Sequence, residues 1–219
     1  TGSPWFKGEI GIKDRTIVLI RHRIREEAAR TIDAAGLVIA PGFIDMHTHS
    51  DLRVFAHPEE DGKLLQGITT ALIGQDGLSV APIDDANKPP MMKRLSGLLG
   101  TYLMEWPWNS MAEFLARLEG LPPATNTLML IPHGAIRATV LGWENRPATL
   151  DEIERMKQIL ARAFREGGVG FSTGLIYPPG MYADRIELTE MCRVTAGCGG
   201  FFVVHMRNEG DYLLDSIRE

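Results

Sequence analysis

The sequence predicts an α/β fold, with about five strands of a (β/α)8 TIM-type barrel preceded by a β-rich segment. From residue 41 onward, short apolar segments alternate with amphipathic ones, which is typical of βαβ units around a parallel sheet. Polar residues follow directly after the apolar segments, where the carboxyl ends of barrel strands would carry a catalytic site. We therefore divide the chain into residues 1–40, a small β domain, and residues 41–219, a barrel portion. Because about eight strands are needed to close such a barrel, we expect it to be incomplete in this chain.

Composition and charge restrict the classes of function. Of the 219 residues, 44% are hydrophobic and 23% are charged, which is ordinary for a globular protein. The formal net charge of −5 argues against a surface that binds nucleic acid or anionic membranes. The sequence has no apolar run of about 18 residues that would predict a transmembrane helix. Cys192 and Cys198 form neither a disulfide framework nor a CxxC motif, which indicates a cytoplasmic protein.

The first segment is predicted to form a small sheet. Residues 8–20 contain two apolar, β-branched runs that meet near Asp14 and Arg15, as in a hairpin. A further strand is predicted at residues 31–33, followed by an apolar run at residues 37–39. The N-terminus, TGSPW, lacks the basic start and apolar core of a signal peptide, and its abrupt start suggests that the chain begins inside a longer protein.

The barrel portion is predicted to contain five strands, each followed by a turn or a polar residue. They are residues 42–47, 69–73, 127–131, 169–173 and 201–204. Two capping boxes, Ser110 with Glu113 and Thr149 with Glu152, each start a predicted helix. The connection 81–107 is rich in Pro and Met and is predicted to be a long loop, a candidate lid over a substrate.

Two histidines end the first barrel strand at positions i and i+2. Side chains in a strand alternate between faces, so His47 and His49 should point the same way and converge on one metal ion. The apolar run before the pair and Asp51 after it favour a metal site over the alternative of two surface histidines in a loop. Asp51 is also a candidate partner that holds one of these histidines in its tautomer.

Further candidate residues follow the later strands. Asp76 follows the second strand and is either a metal ligand or the cap of an Asp-Gly turn. His205 follows the fifth strand, a position that favours a metal ligand over a buried core histidine. Tyr177, after the fourth strand, is either a catalytic group or a loop aromatic made rigid by two prolines. His133, after the third strand, is predicted to have a supporting or structural role.

These motifs together resemble a known family. Residues 41–51, PGFIDMHTHSD, resemble the signature of the amidohydrolase superfamily. Residues 67–74 (GITTALIG), 174–180 (GLIYPPG) and 205–211 (HMRNEGD) are similar to the N-acyl-D-amino-acid deacylase (D-aminoacylase) family, as is GSPW near the start. The resemblance covers nearly the whole chain, with its motifs in the same order, and this makes it specific.

The resemblance implies a zinc-dependent (β/α)8 hydrolase with a small β-sandwich built from both chain ends, of which residues 1–40 would be part. It implies that His47 and His49 bind one metal position and His205 a second, so we expect one or two Zn²⁺ ions. The family commonly places a bridging Cys in a Gly-Asn-Cys-Gly sequence, where this chain has Asp76 in Gly-Gln-Asp-Gly. A carboxylate can also bridge two ions, but it is a harder ligand and admits another divalent metal such as manganese or iron. Tyr177 matches a family tyrosine that lies near the scissile amide and can stabilise an oxyanion.

The activity implied is that of a hydrolase acting on carbon–nitrogen bonds other than peptide bonds. The substrate is a small molecule, an N-acyl-D-amino acid, whose amide is cleaved by a metal-activated water to give a carboxylate and a D-amino acid. In the family, the acid–base aspartate and a further histidine ligand lie on later barrel strands than those found in this chain. We therefore expect the chain alone to be weak or inactive, with the rest of the barrel or a second copy as its partner.

Two alternatives stay open from the sequence. A cyclic amidase similar to dihydroorotase or hydantoinase would usually supply a carboxylated lysine after the fourth strand, and residues 169–175 (VGFSTGL) contain none. A non-catalytic metal-binding or structural fragment would keep the motifs without turnover. The open strand edges of such a fragment would favour self-association.

Overall fold

The fold is described by a computed structural model that covers residues 4–102, 105–121 and 123–219. The first half of the GSPW motif and two positions of the predicted 81–107 loop lie outside these residues. Across the described ranges, no helix combines the length and the apolar character needed to cross a bilayer. Both cysteines are free thiols, and the cytoplasmic location inferred from them stays a prediction.

The chain divides into two compact units, of which the first ends at Pro41. This unit contains a two-stranded antiparallel sheet, made of β1 (Glu9–Lys13) and β2 (Thr16–Arg21). Asp14 and Arg15 connect the strands with φ values of 49° and 65°. Two successive left-handed residues are what a type I′ hairpin turn requires. The predicted hairpin is therefore confirmed.

The strand predicted at residues 31–33 is wrong, because these residues have no regular structure and lead into a turn at residues 34–37. The amide of Ala35 donates to the side chain of Asp33 (2.9 Å), and the amide of Leu37 donates to the carbonyl of Ala34 (3.0 Å). Local bonds of this kind replace the ladder to a neighbouring strand. In the part of the first unit that the structure describes, strands are confined to β1 and β2.

The second unit, Gly42–Glu219, is built on a five-stranded parallel sheet. Its strands are β3 (Phe43–Asp45), β4 (Ile68–Ile73), β5 (Asn126–Pro132), β6 (Gly170–Gly174) and β7 (Phe201–His205). Each strand pairs with the next one along the chain, as in consecutive βα units of a TIM-type barrel. The five predicted parallel strands are therefore confirmed, and their carboxyl ends meet at one edge of the sheet.

Helices and turns connect these strands. The helices are α1 (Arg53–Ala56), α2 (Asp61–Leu64), α3 (Lys88–Leu99), α4 (Met111–Glu119), α5 (His133–Leu141), α6 (Leu150–Arg165), α7 (Arg185–Gly197) and α8 (Leu213–Arg218). Both predicted capping boxes are present. The hydroxyl of Ser110 accepts from the amide of Glu113 (3.2 Å) at α4, and that of Thr149 accepts from the amide of Glu152 (3.3 Å) at α6. The caps satisfy amides that a helix leaves unpaired at its start.

The prediction of one long loop at residues 81–107 is wrong, because α3 (Lys88–Leu99) lies within this segment. Pro89 and Pro90 fall in the first turn of α3, where the missing amide proton removes no helical hydrogen bond. In the sequence the same two prolines read as loop signals, and this hid the helix. The residues that α3 buries are spaced one turn apart: Met91, Leu95 and Leu99.

An aromatic cluster forms part of the core of the second unit. The ring of Trp108 stacks on Phe55 and on Trp106, at centroid distances of 5.5 and 6.2 Å, and meets Phe114 edge-on at 5.1 Å. The indole of Trp108 donates to the carbonyl of Val80 (2.9 Å), so its one polar group is paired inside the core. The end of the predicted loop is therefore anchored in the core.

Candidate metal centre

The first barrel strand is shorter than predicted, and the two signature histidines lie in the loop after it. β3 ends at Asp45, so the strand alternation expected to align His47 and His49 does not apply. The chain leaves the strand where the amide of His47 donates to the side chain of Asp45 (3.3 Å). The two imidazole rings nevertheless converge, with centroids 5.4 Å apart and planes at 78°.

Both histidines face Asp76, which lies in a short turn after β4. The Nε2 atoms of His47 and His49 are 3.3 and 3.2 Å from Oδ2 of Asp76. Asp76 has a left-handed backbone (φ 58°), as do Gly74 (φ 80°) and Gly77 (φ 65°) on either side. The left-handed backbone region is unfavourable for an aspartate, and a residue stays in it only where surrounding contacts hold it there.

Buried polar groups supply these contacts. The hydroxyl of Ser172 on β6 accepts from the amide of Gly77 (3.0 Å) and donates to the carbonyl of Gly74. The carboxylate of Asp51 accepts from the amide of Gly74 (3.1 Å) and from the hydroxyl of Ser79. Ser172, Asp51 and Ser79 are all buried, so water does not compete for these bonds. The turn is therefore fixed from two sides.

The structure assigns Asp51 a role other than the predicted one. Its Oδ1 bonds Ser79 and the amide of Gly74 instead of a histidine ring, and its Oδ2 has no hydrogen-bond partner within the described ranges. Complete burial raises the pKa of Asp51, against the opposing effects of Ser79 and His49. Because the carboxylate bonds the amide of Gly74 at the start of the turn, it supports the placement of Asp76.

The carboxylate of Asp76 is stabilised in its charged form. Burial raises its pKa, but the hydrogen bond from His49 and the charges of His47, His49 and His205 outweigh burial. The pKa of Asp76 therefore lies below its ordinary value. At neutral pH the two histidines face an anionic oxygen.

The three side chains fit a divalent metal ion. One ligand atom each from His47, His49 and Asp76 lies within 4.8 Å of the other two. The two distances to Oδ2 of Asp76, 3.3 and 3.2 Å, are short enough for each histidine to share one zinc ion with it at about 2.0–2.2 Å per bond. Two imidazole nitrogens with a carboxylate oxygen are a donor set that zinc accepts, and manganese or iron can also use it.

His205 and Tyr177 lie beside this group. β7 ends at His205, whose ring centroid is 5.0 Å from that of Tyr177. The Nε2 atom of His205 lies 3.9 Å from a carboxylate oxygen of Glu209. His205 is close enough to lower the pKa of Asp76, but it is not one of the three residues whose donor atoms converge. The predicted site residues thus meet at one end of the sheet, with His205 at the margin.

A pocket of about 330 Å³ opens next to the three donors. Its wall includes His49, Asp76 and Tyr177 and the α3 residues Arg94 and Leu98. Burial raises the pKa of the Tyr177 phenol, and the negative charges of Asp76 and Glu209 add to this effect. The phenol therefore keeps its proton at neutral pH and can donate a hydrogen bond into the pocket.

Sequence reasoning missed Arg94, Ser172 and Ser79. Arg94 lies in the segment predicted to be a loop, and its guanidinium is 5.8 Å from the centroid of the Trp143 ring. The signal for Ser172 was present, since a serine inside an apolar strand must pair with another buried group. His133 is fully buried and has the supporting position predicted for it.

Several known proteins are similar to this chain in sequence and fold. The amidohydrolase family model matches residues 30–216. The D-aminoacylase of Alcaligenes xylosoxydans xylosoxydans is 34% identical over 219 residues, which is 100% of this chain and 44% of that protein. A crystal structure of D-aminoacylase superposes with a TM-score of 0.88 at 34% identity, covering 100% of this chain and 45% of that one.

A second solved relative carries a metal and an inhibitor. It is the N-acyl-D-glutamate deacylase of Bordetella bronchiseptica, complexed with zinc and a phosphonate that mimics the tetrahedral intermediate. It matches with a TM-score of 0.86 at 31% identity, covering 100% of this chain and 45% of that one. The chain thus spans less than half the length of the relatives it matches. The family match over most of its length shows that the chain belongs to the amidohydrolase family.

Proposed function

We propose that this chain contributes to the active site of a metal-dependent hydrolase that cleaves N-acyl-D-amino acids. The products would be a carboxylate and a D-amino acid. The observation that carries the proposal is the convergence of His47, His49 and Asp76 beside Tyr177 at the wall of an open pocket. The similarity to deacylases along the whole chain supports the substrate class.

The histidines and the aspartate would hold the metal. His47, His49 and Asp76 supply three donors for one divalent ion, and zinc is the first candidate. A second carboxylate oxygen of Asp76 and the imidazole of His205 are the groups available for a second ion. When bound, such an ion polarises a carbonyl group and acidifies a water molecule. The replacement of the family cysteine by Asp76 favours harder ions more than a thiolate would.

Tyr177 would stabilise charge on the substrate. Hydrolysis of an amide places negative charge on the carbonyl oxygen, and a hydrogen-bond donor aimed at that oxygen lowers the barrier. The raised pKa of Tyr177 keeps its hydroxyl protonated and able to donate. We assign no general acid–base residue to this chain.

The α3 side of the pocket would bind the substrate. Leu98 offers apolar surface for an acyl group, and Arg94 offers a guanidinium that can pair with a carboxylate. A cyclic amidase is less well supported, because β6 (Gly170–Gly174, GFSTG) carries no lysine to be carboxylated. We therefore infer that the substrate is a linear amide with a carboxylate that can pair with Arg94.

Amine release from matched N-acetyl-D- and N-acetyl-L-amino acids tests the proposal. We expect the full-length, zinc-loaded protein to release the D-amino acid selectively, to lose activity on chelation and to regain it with zinc. Tyr177→Phe should lower kcat by about 10²–10³-fold, the usual cost of one oxyanion donor. The isolated 219-residue chain should be weak or inactive in the same assay.

Three outcomes would count against the proposal. Zinc binding without turnover of any amide would favour the non-catalytic alternative. Turnover of a cyclic substrate such as a hydantoin, with none of a linear amide, would favour a cyclic amidase. Equal turnover of D- and L-substrates would contradict the proposed selectivity for N-acyl-D-amino acids.

A further inference from the structure

A fully buried charged cluster lies behind the metal centre. The Nε2 atom of His133 lies 2.7 Å from a carboxylate oxygen of Glu187, and Nε of Arg137 donates to the same oxygen (3.1 Å). The side chains of these three residues have no exposed surface. Taking charges out of water is costly, and apolar side chains often replace such a cluster without loss of stability.

Its contact with the barrel strands is through Thr173 on β6. The Nδ1 atom of His133 lies 2.8 Å from the hydroxyl oxygen of Thr173. Burial raises the pKa of Glu187, but the hydrogen bonds and charges of His133 and Arg137 outweigh it and hold this pKa below its ordinary value. An ionised carboxylate only accepts, so Nε2 of His133 carries a proton. The hydrogen bond between Nδ1 of His133 and the hydroxyl of Thr173 then orients both groups.

Thr173 in turn packs against the turn that carries Asp76. A Cβ atom on Gly77 would lie 3.1 Å from the Cα atom of Thr173 and 3.1 Å from the amide nitrogen of Gly174. A Cβ atom on Gly174 would collide with the carbonyl oxygen of Asp76. Ser172, the residue before Thr173, makes two of the hydrogen bonds that fix the turn. The turn is therefore in backbone contact with the end of β6 and must follow any movement of it.

The cluster also reaches the segment after Tyr177. Arg137 donates to the carbonyl of Arg146 (2.5 Å) and to that of Tyr182 (3.5 Å). The amide of Met181, one residue earlier, donates to the carbonyl of Tyr177 (2.8 Å). The same charged group is thus linked to the Asp76 turn through Thr173 and to the segment after Tyr177 through the carbonyl of Tyr182.

We propose that Glu187, His133 and Thr173, anchored by Arg137, form a positioning relay that fixes the end of β6 and through it the Asp76 turn. The relay does not touch the substrate or the metal. It sets where the Asp76 carboxylate stands relative to His47 and His49, and this rests on the metal-binding role in the proposed function.

Two substitutions at Thr173 separate positioning from packing. Thr173→Val keeps the shape of the side chain and removes the hydroxyl, whereas Thr173→Ser keeps the hydroxyl and removes a methyl group. In the full-length protein we expect Thr173→Val to weaken zinc binding by about 10-fold or more, as loss of a partner that orients a ligand does. Thr173→Ser should weaken it less than about threefold, although it leaves the larger gap in packing.

A second readout reports on the turn without any metal. In the metal-free protein, we expect Thr173→Val to raise the rate of amide hydrogen exchange in residues 74–78. With Thr173→Ser this rate should stay close to that of the wild-type protein. Glu187→Gln should act like Thr173→Val on both readouts. Phe114→Leu, in the aromatic core, is the matched control: it should lower the midpoint of thermal unfolding without changing zinc affinity or exchange in this turn.

The outcomes distinguish this relay from the proposed function. If wild type binds zinc and hydrolyses amides while Thr173→Val changes neither zinc affinity nor exchange in residues 74–78, the relay is wrong and the function stands. Equal losses for Thr173→Val and Thr173→Ser would also overturn it, since packing would then explain both. If wild type binds no metal but the exchange pattern is as expected, the relay fixes the turn and the proposed function fails.

Discussion

The centre and the edges of the five-stranded sheet are buried to different extents, although all five strands belong to one parallel array. Every residue of β6 (Gly170–Gly174) is buried, whereas none of β7 (Phe201–His205) is. β3 (Phe43–Asp45) likewise exposes two of its three residues. The candidate metal centre draws on both regions. Asp76 and the groups that hold it are central, while His47 and His205 follow the outer strands.

This difference in burial corresponds to two ways in which the chain positions a side chain that can bind a metal. Asp76 occupies an unfavourable backbone conformation that buried hydrogen bonds and close backbone contacts hold in place. His47, with 55% of its side chain exposed, has no comparable enclosure. Within the described residues, the centre therefore holds Asp76 through more contacts than the outer loop provides for His47. Substitutions in the two regions should differ in their effects.

The largest difference should appear in stability, for two rings that stack on each other. Phe171 on β6 and Phe202 on β7 have centroids 5.8 Å apart, but Phe171 is fully buried and Phe202 is 41% exposed. We expect Phe171→Ala to lower the free energy of unfolding by about 3–5 kcal/mol, from lost burial and the cavity it leaves. In the 219-residue chain, Phe202→Ala should cost about 1 kcal/mol. Urea denaturation measures both, and equal losses would contradict the distinction between centre and edge.

The next largest effect should be on metal affinity. Asp76→Ala removes the central donor, and we expect zinc affinity to fall by more than the about 10–100-fold that loss of an orienting partner costs. His47→Ala removes a donor that fewer hydrogen bonds hold in place, so its loss should be smaller. Competition with a chromogenic chelator gives both constants. A larger loss for His47→Ala would reverse the assigned roles.

The close packing of the centre predicts an effect of a single methyl group. Alanine at Gly174 would place its Cβ against the carbonyl of Asp76 and 2.6 Å from the ring of Tyr177. We expect Gly174→Ala to destabilise the protein by about 1–3 kcal/mol through overpacking and to weaken zinc binding. Gly62→Ala is the control, because nothing lies within 4 Å of its Cβ position. If the two variants unfold at the same temperature and bind zinc with equal affinity, the turn is not packed as described.

The smallest effect concerns pH and the cap of α6. Hydrogen bonds from Arg146 and from the amide of Thr149 lower the pKa of Glu152 from its ordinary 4.5 to about 2. A pKa depressed by folding contributes stability above pH 4.5 that is lost as pH falls towards 2. The Arg146 side chain is 38% exposed, so we expect a contribution of at most about 1 kcal/mol.

Glu152→Gln should therefore be less stable than wild type at pH 7, with the difference shrinking below pH 4.5. Glu154→Gln on the same helix, where the side chain is 61% exposed, should change stability little at either pH. Thermal unfolding followed at several pH values measures this. A difference for Glu152→Gln that stays constant down to pH 2 would show that the cap does not depend on the charge.

Local signals in the sequence predicted much of the fold. The capping boxes at Ser110 and Thr149 and the hairpin at Asp14 each depend on residues within a few positions, and all are present. The two wrong segments have local causes as well. Turns around Asp33 replace a predicted strand, and prolines at the start of α3 read as loop signals although they suit a first helical turn.

The candidate site was predictable in its residue types but not in its construction. His47, His49 and Asp76 could be named from spacing and resemblance, yet their convergence depends on a loop and not on the predicted strand. The bonds of Asp51 and Ser172 to the Asp76 turn join residues 23 and 95 positions apart. No periodicity encodes such pairings, because they arise only when the strands lie side by side.

The identity of the atoms around a bound metal tests the central claim most directly. X-ray absorption at the zinc edge of the loaded full-length protein should show only nitrogen and oxygen neighbours at about 2.0–2.2 Å. In Asp76→Ala this zinc should be lost or should lose a light-atom neighbour. A sulfur neighbour at about 2.3 Å, or a zinc environment unchanged in Asp76→Ala, would contradict the account.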